Sequence, residues 1–216
     1  MDAVIQRGRL ASGGIAELRG NGQLINRKIL DSCGGFNEQT ITDDLDLSFR
    51  LLLTRGSIGI MWDPPVQEEA VTSISALFKQ RQRWAEGGLQ RFFDYWPLLI
   101  SKGLNNRKKL DLACFFLLQY ALPIVSFVDV IISIIIGKMP LYWPLSICAF
   151  SVSGLAYWKG CNGRSEGPEL PQGNIINILG SVLYLSHWFI VIPYVAFKMS
   201  IYPKKLVWVK TNHIGV

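Results

Sequence analysis

Three apolar blocks in the second half of the chain limit its possible folds more than any other feature. They are "LDLACFFLLQYALPIVSFVDVIISIIIG" (about 110 to 137), "PLYWPLSICAFSVSGLAYW" (140 to 158) and "NIINILGSVLYLSHWFIVIPYVAFKMS" (174 to 200). Each is close to the roughly 20 residues that cross a hydrocarbon layer as a helix. Pro123 and Pro193 would be costly inside buried soluble helices but are tolerated in membrane spans. Asp129 is an acid within the first block, either a functional intramembrane carboxylate or a group placed near the headgroups or towards the bundle. His187 reads as a packing residue or as a ligand. Three full spans would put the lysine-rich tail across the membrane from the first hundred residues, although both flanks are basic and prefer the same side. The short, proline-bounded middle block is therefore expected to be re-entrant or interfacial.

Composition agrees with a membrane assignment, since 50% of the 216 residues are hydrophobic and the charged residues crowd the first hundred positions. The net charge of +6 comes largely from clusters at Arg107, Lys108 and Lys109 before the first block, and at Lys198, Lys204, Lys205 and Lys210 at or after the end of the last. Such clusters suit anionic lipid headgroups. They bracket apolar spans and do not form a stripe on a polar domain, so nucleic acid is not an expected partner. Cys33, Cys114, Cys148 and Cys161 lie far apart with no CxxC, which argues against a zinc site or a disulfide framework. The N-terminus "MDAVIQRGRLASGG" has no apolar core of signal-peptide length.

The first hundred residues read as the loop-rich edge of an α/β domain. Glycines in "ASGG", "RGNGQ" and "CGGF" separate short runs, among them "QLINRKIL", a strand or a helix start. Within "TITDDLDLSFRLLLTRG" (40 to 56), Thr42 is placed to cap a helix whose opening turn carries Asp43, Asp44 and Asp46. Leu45, Phe49 and Leu52 make its buried stripe, with Asp46 and Ser48 on the polar side. Ile58, Ile60 and Trp62 predict a short strand ended by Pro64 and Pro65. Helical spacing resumes from about Ser73, with a break or bend at Gly87 and Gly88. Its aromatic end, Phe92, Phe93, Tyr95 and Trp96, resembles a helix lying on a bilayer surface.

Two signatures then stand in order ahead of the apolar blocks: "TDDLD" (42 to 46) and "QRQRW" (80 to 84), with "QEEA" (67 to 70) between them. Together they resemble the membrane-bound family 2 glycosyltransferases, which include the cellulose, chitin and hyaluronan synthases. In that family a T-E-D-type turn carries the catalytic base, and a Q-x-x-R-W motif flanks the donor and acceptor sites. Here Asp43 stands in place of the usual Glu, Asp44 aligns with the base, and Gln80, Arg83 and Trp84 complete the second motif. The stretches "RGNGQLINRKILDSCGGFNEQTITDDLDL", "RQRWAEGGLQRFFDYW" and "PKKLVWVKTNHIG" are most similar to the cyanobacterial branch that builds β-monoglucosyldiacylglycerol. The family's nucleotide-binding strands are not found, and the "DLD" at 44 to 46 belongs to the base turn and not to the family's metal-binding D-x-D, so a truncated or split form without the donor-binding half is expected.

The resemblance implies a partial GT-A-like domain over residues 1 to 105, an α-helical membrane region over 106 to 200 and a basic tail over 201 to 216. It implies inverting transfer of glucose from a UDP-sugar to diacylglycerol at the cytoplasmic face of an integral membrane protein. A separately encoded N-terminal half is an implied partner, and Mg²⁺ an implied cofactor held mainly by that missing half. Asp44 would take the proton from the acceptor hydroxyl, with Thr42, Asp43 and Asp46 in capping or supporting roles. Like-charge crowding should raise the proton affinity of one of these acids, partly offset by the helix terminus.

Gln80 and Arg83 would meet the donor diphosphate, the latter through its planar fork. Trp84 would offer a flat face to sugar or glyceride. A purely structural junction with the membrane surface is the alternative for Arg83 and Trp84. Asn21 and Gly22 match the place where the backbone approaches the acceptor, or form a plain turn. Glu69 either contacts the acceptor or caps a loop. In the tail, Lys210 and Thr211 would reach the diphosphate and His213 a metal or phosphate, unless that end is disordered. Two other functions remain open: a processive polysaccharide synthase, and a non-catalytic membrane subunit or inert fragment.

Overall fold

The computed structural model describes residues 2–61, 63–101, 104–163 and 171–202. The tail residues Lys210, Thr211 and His213 lie outside the described residues. Helices α1 (Asp2–Ala11), α2 (Arg27–Ser32) and α3 (Asp43–Leu53) occupy the first part of the chain. The long α4 (Ile74–Ser101) leads to α5 (Asn106–Phe116), a π-helical turn (Leu117–Ala121), α6 (Leu122–Ile136), α7 (Trp143–Asn162), α8 (Ile175–Leu185) and α9 (Trp188–Ile201).

The described residues contain no β-strand, so they do not confirm the α/β expectation. Ile58 and Ile60 run in irregular backbone, and Trp62 lies outside the described residues. A strand needs a neighbour to take its ladder hydrogen bonds, and no second strand is present among the described residues to offer them.

Two further expectations are corrected. Helix α4 passes through Gly87 and Gly88 without a break, because both glycines are close-packing positions. A methyl group at Gly87 would meet Thr42 Cβ at 2.9 Å, and one at Gly88 would meet Tyr120 Cζ at 2.9 Å. The glycines lower helix propensity but let α3 and the π turn approach α4. Asp46 and Ser48 do not lie on a solvent face: both are fully buried, together with Leu47, Phe49, Leu51 and Leu52, whereas Leu45 is only half-buried.

One core joins the acid-bearing helix to the apolar helices. Phe49 and Leu52 of α3, Ala85, Leu89 and Phe92 of α4, Leu112 of α5, Tyr120, and Val191, Ile192 and Val195 of α9 form a single buried cluster. Phe92 stacks with Trp96, meets Phe49 edge-on at 5.7 Å and lies 4.7 Å from Phe116. Of the aromatic end expected at a bilayer surface, Phe93 is exposed while Phe92 is buried and Tyr95 and Trp96 are half-buried. Farther up the chain, Arg9 of α1 donates to Asp111 of α5 at 2.9–3.1 Å and stacks 4.3 Å from Phe115, fixing α1 to the head of the first apolar block.

The apolar blocks are helical. Residues Asn106–Ile136 and Ile175–Ile201 are the two described stretches long and apolar enough to cross a membrane, with only 22% and 11% of their most apolar windows buried inside the protein. The middle block forms the 20-residue α7 but is not one of them. In the first stretch, Leu122 N–H reaches back to the Leu117 carbonyl just before Pro123. The extra residue accommodates a ring that cannot donate and would clash with the preceding turn, and it leaves Tyr120 facing α4. Asp129 accepts the Tyr142 N–H at 2.9 Å, which ties α6 to the start of α7.

The last block divides at Ser186 and His187, so that α8 packs on α7 while α9 packs on α4 and α6.

Candidate active site

Helix α3 presents its acidic turn to two different surroundings. Thr42 stands at the N-cap position, but its hydroxyl makes no cap hydrogen bond; it is buried against Gly87 with no partner among the described residues. The expected side-chain cap is therefore absent, because close packing of α3 on α4 has taken the Thr42 side chain. Its carbonyl still accepts from Asp46 N–H at 3.1 Å.

Ser48 sets the geometry around Asp44. Its hydroxyl donates to the Asp44 carbonyl at 2.7 Å and accepts the Leu18 N–H at 2.8 Å. That link holds the glycine loop beginning at Arg19 over the start of α3, where a carbon added at Gly20 would lie 3.8 Å from Asp44 Oδ2. Gly22 has a φ of +66°, and a side chain there would run into Val66. Asn21 donates to Glu68 at 2.9 Å. The loop thus sits between the acid turn, which it meets at Gly20, and the segment around "QEEA", which it meets at Asn21 and Gly22. Glu69 is exposed, and it is the neighbouring Glu68 that receives Asn21.

Asp44 is half-buried, and its carboxyl is held above the usual range. Burial is the larger cause and the adjacent Asp43 charge adds to it, while the Leu45 N–H and the Arg19 charge act in the opposite sense. Crowding by acids therefore has the expected sign but is secondary to burial. Across the site, burial pulls the Arg83 guanidinium down, and the charges of Asp44 and then Asp43 oppose that.

Asp46 belongs to another environment. Its carboxylate accepts from Arg91 at 2.8 Å, Tyr95 at 2.9 Å, Asn37 at 3.3 Å and, through its other oxygen, Arg50 at 2.8 Å. Arg50 also donates to the carbonyls of Cys33 and Gly35. With four donors around it, Asp46 is a structural anchor between α3 and α4 and is not positioned to receive a proton from a substrate.

On α4 the second motif divides in the same way. Gln80 and Arg83 are half-buried, and Trp84 keeps 38% of its surface exposed. Arg81 lies 4.0 Å over the Trp84 ring and donates to the Tyr184 hydroxyl at 3.0 Å. Arg19, Ser48 and Arg81 are the residues that sequence reasoning missed. Spacing carried a signal for two of them, since Ser48 is one turn from Asp44 and Arg81 is one turn from Trp84.

Among the described residues no three His, Cys, Asp or Glu side chains are placed to hold a metal ion. Asp43 and Asp44 alone do not fit Mg²⁺, which requires about six oxygen ligands in an octahedron.

The acid turn and the Q-x-x-R-W helix are thus packed together on long apolar helices. The chain belongs to glycosyl transferase family group 2, which matches over residues 2–200. It is 44% identical to the β-monoglucosyldiacylglycerol synthase of Synechocystis sp. across 99% of its own length and 46% of that protein's. The synthase of the same name from Trichormus variabilis is 41% identical across 100% of this chain and 47% of its own length. The chain thus spans about half the length of the curated relatives it matches. No solved structure gives a significant match.

Proposed function

We propose that this chain carries the acceptor side and the base of an inverting membrane glycosyltransferase that moves glucose from a UDP-sugar to the free hydroxyl of diacylglycerol. The observation that carries the proposal is the contrast within one helical turn: Asp46 is saturated by donors, while Asp44 is half-buried with a raised proton affinity, next to the Arg19–Gln23 loop and within electrostatic reach of Arg83. A carboxylate in that state can accept the hydroxyl proton as the oxygen attacks the anomeric carbon. Arg83 supplies a guanidinium fork for the departing diphosphate, supported by Gln80. Trp84 offers its exposed face to the acceptor, and Asn21 and Gly22 let backbone approach it closely. Lys210, Thr211 and His213 would complete the diphosphate side from the tail. Mg²⁺ would be held mainly by the portion of the relatives that this chain does not span. The basic cluster at Arg107–Lys109, at the head of the first membrane-length helix, supports an integral membrane protein with its catalytic face cytoplasmic.

The test uses membranes carrying the 216-residue chain, with and without the portion of the Synechocystis relative that it does not match, supplied with labelled UDP-glucose. Label should enter the lipid fraction as glucosylated diacylglycerol only when both are present, and Asp44→Asn should remove it. Fixing donor and acceptor together supplies about 7–11 kcal/mol of a transfer barrier, so the chain alone should show none. Label in polymer, or transfer indifferent to Asp44→Asn, would overturn the proposal.

A further inference from the structure

Where the last apolar block breaks, a second polar site lies inside an aromatic shell. Arg81 stands 4.0 Å from the Trp84 ring centroid and 5.8 Å from that of Trp188, and its Nη2 donates to the Tyr184 hydroxyl. The His187 ring lies 5.1 Å from Tyr184 and 5.0 Å from Trp188. Its Nδ1 meets the Tyr184 carbonyl oxygen, which can only accept, so in the neutral imidazole the proton sits on Nδ1 and Nε2 presents a lone pair. Two polar atoms in this shell are buried with no hydrogen-bond partner among the described residues: Arg81 Nε, a donor, and His187 Nε2, an acceptor. Buried polar groups left unsatisfied are costly, and one donor with one acceptor is the complement of an alcohol.

The geometry points to a binding site for the hydroxyl of a glycerolipid, framed by Trp84, Tyr184 and Trp188, in which the hydroxyl oxygen accepts from Arg81 Nε–H and its proton is donated to His187 Nε2. This deepens the proposed acceptor reading and rests on it for the lipid class. Leu183, Tyr184 and Ile190, on the same two helices, are exposed apolar residues along which an acyl chain can lie. The break between α8 and α9 makes the site possible, because it places His187 between two helices and beside the indole of Trp188. Successive residues turn by about 100° around a helix, so Trp84 sits between Arg81 on one side and Arg83 on the other. The site therefore adjoins the transfer centre through Trp84 while remaining separate from Asp44. Such a position suits an acceptor waiting to enter or a glycolipid leaving.

The experiment measures binding without sugar transfer, on the 216-residue chain in nanodiscs. Three probes are titrated: dioctanoylglycerol, its glucoside, and dioctanoylglycerol acetylated at the free hydroxyl. Two hydrogen bonds of ordinary net strength predict that at least one hydroxyl-bearing probe binds about tenfold more tightly than the acetylated one. That difference should vanish in His187→Phe, which keeps an aromatic ring, and in Arg81→Lys, which keeps the charge but removes Nε. Preference for dioctanoylglycerol identifies a waiting acceptor, and preference for the glucoside a leaving product. Equal binding of all three by the unmodified chain would overturn the site, leaving its two orphaned atoms to water. A difference that survives in either variant would also overturn it. Because no transfer is read, this site can fail while diacylglycerol glucosylation stands, and the reverse.

Discussion

Asp44 and Asp46 stand two residues apart on one helix, yet the fold treats them as opposites. Asp46 points between α3 and α4, where two arginines, a tyrosine and an asparagine hold it. Asp44 points towards the Arg19–Gln23 loop, half-buried and held towards its protonated form. Successive carboxylates differ by helical angle and not by chemistry, so the division follows from which face α4 covers. Charge neutralised by arginines stabilises a junction, whereas a carboxylate desolvated beside a loop gains proton affinity, the property that the proposed base needs. An acidic turn can therefore serve structure and catalysis at once without either residue being able to replace the other.

The largest expected consequence concerns turnover. In a preparation competent for transfer, Asp44→Asn should reduce the rate on the order of 10²- to 10⁴-fold, the range for removing a general base. Stability should behave differently. A carboxyl whose folded pKa is raised contributes most below its unfolded pKa and loses that contribution as pH rises through the folded value. Above the folded value the ionised Asp44 is therefore a burden, and at such pH the Asn variant should melt at the same temperature or higher. A marked fall in melting temperature would place Asp44 with Asp46 and remove the contrast.

Asp46→Asn should show the converse. Leaving two guanidiniums short of their shared anion is a broken buried ion pair, worth about 3–5 kcal/mol of stability. Thermal unfolding in detergent measures it, and an unchanged midpoint would mean the arginines find other partners.

Much of this division is legible in the order of the amino acids. The apolar blocks, the acid turn and the Q-x-x-R-W helix all occur where sequence places them, because strong periodicity and hydropathy need no tertiary partner to declare themselves. Burial of Asp46 is not legible there, since its partners Arg91 and Tyr95 are separated from it by more than forty positions. Reading it as polar-facing follows from amphipathic logic that weighs a lone acid and not an acid with two arginines. Gly87 and Gly88 mislead for a related reason: propensity sees a helix breaker, while packing sees room for Thr42 and Tyr120. The division of the last block between α8 and α9 depends on its packing against α7, α4 and α6, which no local window records.

Packing at that seam can be tested separately from charge. Gly88→Ala gains helix propensity but drives a methyl into the Tyr120 phenol, and overpacking of this kind costs about 1–3 kcal/mol. Pairing it with Tyr120→Phe, which removes the hydroxyl nearest the new methyl, should recover part of the loss. Full additivity of the two changes in thermal unfolding would show that Gly88 is not where the π turn meets α4.

The finest test asks whether the surroundings of Asp44 tune it as the geometry says. If its ionised form is the base, turnover rises with pH through its pKa, and the acid limb of the profile reports that value. Asp43 raises it by charge and Arg19 lowers it. Asp43→Asn should therefore move the limb to lower pH, and Arg19→Gln should move it to higher pH, with plateau rates reduced far less than by Asp44→Asn. Burial is the larger cause, so even without Asp43 the limb should remain above that of an ordinary aspartate. Opposite shifts from two neighbours of opposite charge identify the titrating group as the carboxylate between them. Shifts in the same direction, or none, would assign the acid limb to another residue and leave Asp44 as a companion of Asp46 in holding the helix.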